Sequence, residues 1–130
     1  MTNLTKEVVL TDKYPAPMPC ISQGVKVGDF VFVSGILPFS PATGKFVEGT
    51  VGDRTTQILT NITNILEKAG TSIQNVFKVN VWLDDMKNFN EMNVAYEKVF
   101  CDGVRPARTC VAVKELPFGA DVEIEATAHT

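Results

Sequence analysis

Apolar positions along this chain recur with two periods, and the changes between them divide it into short strands and two helices. Lys6 to Leu10 reads as a first strand, and the next stretch, with Pro15, Pro17 and Pro19, as an extended surface loop. Cys20 to Val27 and Asp29 to Ser34 flank Gly28 as the arms of a hairpin. Gly35 follows an aromatic and β-branched run. A glycine there marks a bulge or, less commonly, a point where a ligand or another backbone comes close. Pro38 to Thr50 is a polar loop expected to cross the sheet edge.

From Val51 to Ala69 the period lengthens. Ile58, Ile62, Ile65, Leu66 and Ala69 fall on one helical face, with Arg54, Gln57, Asn61 and Asn64 on the other sides. Gly70 stands where a left-handed cap belongs, and Lys68 complements the helix dipole. Asn75 to Leu83 is rich in β-formers and predicts a central strand. A second helix is predicted from Met86 to Phe100, with Phe89, Met92 and Tyr96 on its apolar face. Asn93 sits at that face's edge, where a polar residue commonly caps a neighbouring backbone group. Arg105 to Val113 and Val122 to Ala126 are the closing strands, and Leu116 to Ala120 between them reads locally as a hairpin turn. Strands, helix, strand, helix and two strands make an α+β chain of one domain, residues 1–130.

The closing strands carry charge where core is expected. Alternation points Arg108, Cys110 and Ala112 one way and Thr109, Val111 and Val113 the other, the second set reading as core. A guanidinium near an apolar sheet needs an anion or a carbonyl to offset its lost hydration. Glu123 and Glu125 share one face of the last strand and could pair with Arg108 internally. Alternatively, Arg108 is kept for a ligand carboxylate. Cys110 lacks a basic partner in the sequence and reads as a buried, inert thiol.

Composition removes several classes of chemistry. The 12 basic residues are scattered among 15 acidic ones for a net charge of −3, which disfavours nucleic acid as a partner. Cys20, Cys101 and Cys110 form no CxxC pair and suit free thiols in a reducing compartment. No apolar run is long enough to span a membrane and the N-terminus lacks a signal-peptide core; the cytoplasm is favoured, with the mitochondrion open. The single histidine, His129, is penultimate and expected to be mobile, so Ser–His and Cys–His nucleophile pairs have no support. No metal or nucleotide cofactor is expected, since HExxH, GxGxxG and GxxxxGK[ST] are all absent. Acid–base and electrostatic chemistry by Arg, Glu, backbone amides and water remains.

Ser22-Gln-Gly-Val-Lys-Val-Gly28, Phe32-Val-Ser-Gly35, Val79-Asn-Val-Trp-Leu83, Pro106-Ala-Arg-Thr-Cys110 and Leu116-Pro-Phe-Gly-Ala-Asp-Val-Glu-Ile-Glu125 closely resemble the RidA (YjgF) family. The likeness runs from about Cys20 to Ala128. It implies a chorismate-mutase-like α+β fold: a mixed sheet with two helices packed on one face, assembled as a homotrimer with clefts between subunits. It also places the Asn75 to Leu83 strand between the last two, in place of a local hairpin. The activity implied is hydrolysis of 2-imino acids and their enamine tautomers to 2-oxo acids and ammonia, with no cofactor. Carried over by position, Arg108 would bind the substrate carboxylate, Glu123 would position water, and the Cys110 backbone would contact substrate or water. Ser34, Gly35, Asn93 and Thr109 would line the cleft. Many members carry Tyr and Gln where this chain has Ile21 and Ile36, a change that implies larger apolar side chains on the substrate. The family also suggests other functions: a non-catalytic ligand-binding or chaperone-like trimer, or an endoribonuclease and translation inhibitor.

Overall fold

The computed structural model describes residues 4–130. In chain order the elements are β1 (Lys6–Val9), β2 (Gly24–Val27), β3 (Phe30–Ile36), α1 (Val51–Lys68), β4 (Val76–Leu83), α2 (Phe89–Val99), β5 (Ala107–Ala112) and β6 (Val122–His129). The strands form one mixed sheet in the order β1-β2-β3-β6-β4-β5, antiparallel except for the parallel β4–β5 pair. β4 thus separates the two closing strands, and Leu116 to Ala120 is a crossing rather than a hairpin. Short 3₁₀ turns at Ile73–Asn75, Met86–Asn88 and Pro117–Gly119 join the elements. The second predicted helix therefore starts later than Met86, at Phe89.

Alternation decides which face is covered. Val122, Ile124, Ala126 and Ala128 of β6 and Val79, Val81 and Leu83 of β4 are buried beneath α1 and α2. Ile58, Leu59, Ile62, Ile65 and Leu66 close the core from α1. The opposite face is open in one chain, with Phe30 47%, Phe32 50%, Phe77 43% and Val111 43% exposed. At one end Trp82 packs with Leu37, Leu116 and Ala120 in a second, smaller core.

Caps and polar ties fix the helices. Thr50 Oγ1 accepts from the Asp53 amide while the Asp53 carboxylate accepts from the Thr50 amide, a reciprocal N-terminal cap. Gly70 follows the helix at φ 87°, the left-handed position its sequence predicts. Asn61 differs from its prediction as an outer residue. It is buried, and its Nδ2 donates to the Leu37 and Phe39 carbonyls at 3.2 and 2.9 Å, anchoring the loop that leaves β3. Arg54 grips Asp121 through two bonds of 2.8 and 2.7 Å and ties α1 to the start of β6.

Two further expectations are corrected. His129 is not in a loose tail: β6 extends to it, it pairs with Phe30, and its ring stacks on Phe77. Thr109 and Val111 do not face the core, and Val113, just beyond β5, packs on the smaller core instead. β5 is an edge strand, its Arg108 and Cys110 lie on the helix side, and its other face belongs to the open side. Among the described residues no helix is long and apolar enough to cross a membrane.

Candidate functional site

Arg108 lies beside Val79 in the β4–β5 register, so its side chain rises on the helix side towards α2. Phe89, Asn93 and Tyr96 form one stripe of that helix. Asn93 Oδ1 accepts from Arg108 Nη1 at 2.7 Å, and the guanidinium carbon lies 4.7 Å from the Tyr96 ring centre and 5.7 Å from that of Phe89. Rings and amide orient the cation while leaving part of its fork free. Burial pushes the Tyr96 hydroxyl up to about 12, against the opposing pull of Arg108, so it stays protonated. Arg108, Asn93 and Tyr96 border a cleft of about 580 Å³ with Arg105, Glu97 and Phe100.

The internal ion pair with Glu123 or Glu125 does not form. Both glutamates sit across from Trp82 and Asn80 on the open face, the opposite side of the sheet from Arg108. Among the described residues Arg108 makes no salt bridge. Glu125 accepts from Asn80 Nδ2 at 2.7 Å.

Glu123 borders a second cleft, of about 240 Å³, with Tyr14, Met18, Ile21, Ser34, Gly35 and Phe118. Its carboxyl is held above the usual carboxylate range, first by burial and then by the like charge of Glu125. Gly35 bears out the bulge reading, and what comes close to it is a side chain rather than a ligand or another backbone. The β3–β6 register slips between Val33 and Ile36, a bulge, and a Cβ at Gly35 would run into the Glu123 carboxylate. Ser34 Oγ donates to the Ser22 carbonyl at 2.6 Å, leaving its lone pairs for the cleft. Gln23 sets the far wall: its Nε2 donates to the carbonyls of Thr11, Tyr14 and Pro15, pinning the proline loop to the sheet. Tyr14 completes that wall by accepting from the Leu37 amide.

The predicted residues therefore divide. Arg108 and Asn93 belong to one cleft; Glu123, Ser34, Gly35 and Ile21 belong to the other. Ile36 borders the second cleft but is 1% exposed and part of the main core, so its side chain is committed to packing against Ile124 rather than offered to a ligand. Cys110 and Thr109 line neither cleft. Cys110 is half-buried rather than buried, and burial pushes its thiol up, only partly opposed by Arg108. Thr109 stands on the open face near Lys78. The packing of the Arg108 guanidinium against Phe89 and Tyr96 was missed in the sequence, although the helical spacing of residues 89, 93 and 96 contains it. Phe118 and Tyr14 carried no comparable signal.

A six-stranded mixed sheet with both helices on one face, and with an arginine that has no salt-bridge partner among the described residues and a half-buried glutamate in separate clefts, defines a class of small α+β proteins. The chain belongs to the family described as Endoribonuclease L-PSP, which matches residues 11–130. It is 42% identical over 126 residues to a RutC family protein of Pyrococcus abyssi, covering 97% of this chain and 98% of the relative. Reactive Intermediate Deaminase A, chloroplastic, of Arabidopsis thaliana is 40% identical over 127 residues, 98% of this chain and 67% of that protein. The crystal structure of E. coli TdcF with bound serine superposes with a TM-score of 0.90 at 32% identity, covering 95% of this chain and 98% of that one.

Proposed function

We propose that this chain hydrolyses 2-imino acids to 2-oxo acids and ammonia in a cleft that neighbouring copies of a homotrimer build together. Arg108 carries the reading: a cation fixed by an amide and two rings, open to a cleft and without a carboxylate of its own. Such a fork suits a small carboxylate ligand. The deaminase name of the plant relative and the serine in the TdcF crystal support that ligand class.

Arg108 and Glu123 stand on opposite faces of the sheet, so a substrate that meets both requires two chains. The exposed Phe30, Phe32, Phe77 and Val111 supply apolar surface for the contact. In the assembled cleft Arg108 holds the substrate carboxylate. Glu123 accepts a proton from water as the water oxygen bonds to the iminium carbon and the C=N π electrons move to nitrogen. The carbinolamine then collapses: Glu123 returns its proton to nitrogen, and the C–N bond breaks to release ammonia. The hydroxyl proton passes to the Glu123 carboxylate as the C–O bond becomes the carbonyl, that proton finally leaving with ammonia as ammonium. Orientation and charge complementarity suffice, because the iminium carbon is already electrophilic. RNA cleavage has less support, since the chain carries a net charge of −3 without a basic cluster.

The test generates 2-iminobutanoate in situ and follows 2-oxobutanoate with and without the protein. Faster appearance of the oxo acid is expected; an unchanged rate at high protein concentration removes the hydrolase reading.

The Glu123 cleft can be probed first by substitution at Gly35 and second by pH. A Cβ at residue 35 meets the end of a flexible side chain, so Gly35→Ala is expected to displace the carboxylate rather than unfold the protein. Turnover should fall about tenfold or more, with thermal melting within a few degrees of wild type; normal turnover would remove Glu123's placement from the mechanism. The second concerns pH. Glu123 must be ionised to accept a proton, so kcat/KM is expected to fall as pH drops through its raised pKa. Glu125→Gln removes the like charge and lowers that pKa, moving the acid limb to lower pH, while its amide oxygen can still accept from Asn80. An unmoved limb would assign it to another group.

A further inference from the structure

Phe118 is the one non-glycine residue with a positive φ among the described residues, at φ 58° and ψ 23°. The left-handed region is unfavourable for a bulky side chain, and glycine or asparagine fills it more easily. Burial does not offset that strain, because Phe118 is 73% exposed. The fold of one chain thus gives little burial in return for this conformation, and such strain points to a function.

The side chain is nonetheless held. Its ring meets Phe39 edge-on at 5.8 Å, and Phe39 is braced by Tyr14 at 6.3 Å and Phe46 at 4.6 Å. The ladder fixes Phe118 at the wall of the Glu123 cleft. Met18 and Ile21 border the same cleft and are also exposed, at 54% and 47%. Three large apolar side chains are thus grouped around a carboxylate and left unburied by the fold of one chain.

We propose that Phe118, with Met18 and Ile21, forms the seat for the substrate's side chain beside Glu123, selecting imino acids with aliphatic side chains of leucine or methionine size. This rests on the imine-hydrolase reading above and adds to it the substrate class. A cleft of about 240 Å³ is larger than a methyl group needs. Each methylene buried there favours the longer substrate about fourfold. Ile36, confined to the core, has no part in this selection, whereas Phe118 enters it on structural grounds alone.

Phe118→Gly is the informative variant, because glycine relaxes the backbone at this φ and removes the ring without endangering the fold. Phe118→Leu keeps apolar bulk as a control. Imines generated in situ from alanine, leucine and methionine by an amino-acid oxidase give kcat/KM for each protein. The wild type is expected to favour the leucine and methionine imines. In Phe118→Gly the preference over the alanine imine should shrink about tenfold, with Phe118→Leu between them. Calorimetry with pyruvate and 4-methyl-2-oxopentanoate reads the seat without turnover: the branched acid should bind more tightly to the wild type, and that advantage should shrink in Phe118→Gly. Identical selectivity in wild type and Phe118→Gly by both measurements overturns the seat. So does a change in assembly mass by light scattering, which would make Phe118 a subunit contact. Absence of turnover in every protein, with the binding difference intact, would remove the hydrolase reading and leave the seat standing.

Discussion

Arg108→Lys is expected to lose about a hundredfold in kcat/KM for 2-iminobutanoate while melting within a few degrees of wild type. The loss comes from geometry rather than charge. A guanidinium can offer two parallel donors to a carboxylate, and charge-assisted bonds contribute about 1.5–3 kcal/mol each. An ammonium keeps the charge but offers no fork, and it fills the space between the Phe89 and Tyr96 rings less well. Stability should hold because Arg108 is at an edge strand and, among the described residues, its side chain hydrogen-bonds to Asn93 alone. Steady-state kinetics paired with thermal denaturation check both halves. Full activity in Arg108→Lys would leave the cation as a structural part of the α2–β5 contact.

Much of this fold was legible because its elements follow their local periods. α1 begins at Val51 and ends just before Gly70, close to the predicted bounds, and β4 is an inner strand as its β-formers suggest, although it lies next to the sheet edge rather than at the centre. Strand order was not legible locally. Alternation tells which residues share a face but not which strands are neighbours, so Leu116 to Ala120 looked like a hairpin until the family resemblance separated the last two strands. The same limit explains β5. Arg108 and Cys110 do share a face, as alternation requires, but which face the helices cover depends on the strand's position at the sheet edge. Asn61 was misplaced because a helical wheel treats amide side chains as solvent-seeking, whereas this one finds carbonyls inside. Phe118 lay beyond reach for a different reason. Sequence rules place glycine and asparagine at positive φ, and an aromatic there contradicts local preference, as residues at functional sites sometimes do.

Glu123→Gln is expected to lower kcat by about a hundredfold or more while binding the 2-oxo acid product nearly as tightly as wild type, since Arg108 and not Glu123 meets the ligand's charge. Equal losses in turnover and product affinity would mean that Glu123 holds the ligand rather than the water. The variant also tests whether the two clefts work together. Arg108→Lys and Glu123→Gln are each expected to be nearly inactive, and in the proposed site each would damage the opposite side. Co-expressed or refolded together, they would form, in the proposed assembly, mixed trimers in which one interface joins the intact Arg108 of one chain to the intact Glu123 of its neighbour. With random mixing of equal amounts, three quarters of the trimers are mixed, and each has one such interface among three. Activity should therefore return to about a quarter of the wild-type level. If each chain used its own Arg108 and Glu123, every site would carry one defect and mixing would restore nothing. The separation of the two residues on opposite faces of one sheet makes recovery the expected result, and its absence from confirmed mixed trimers would end the shared-cleft mechanism.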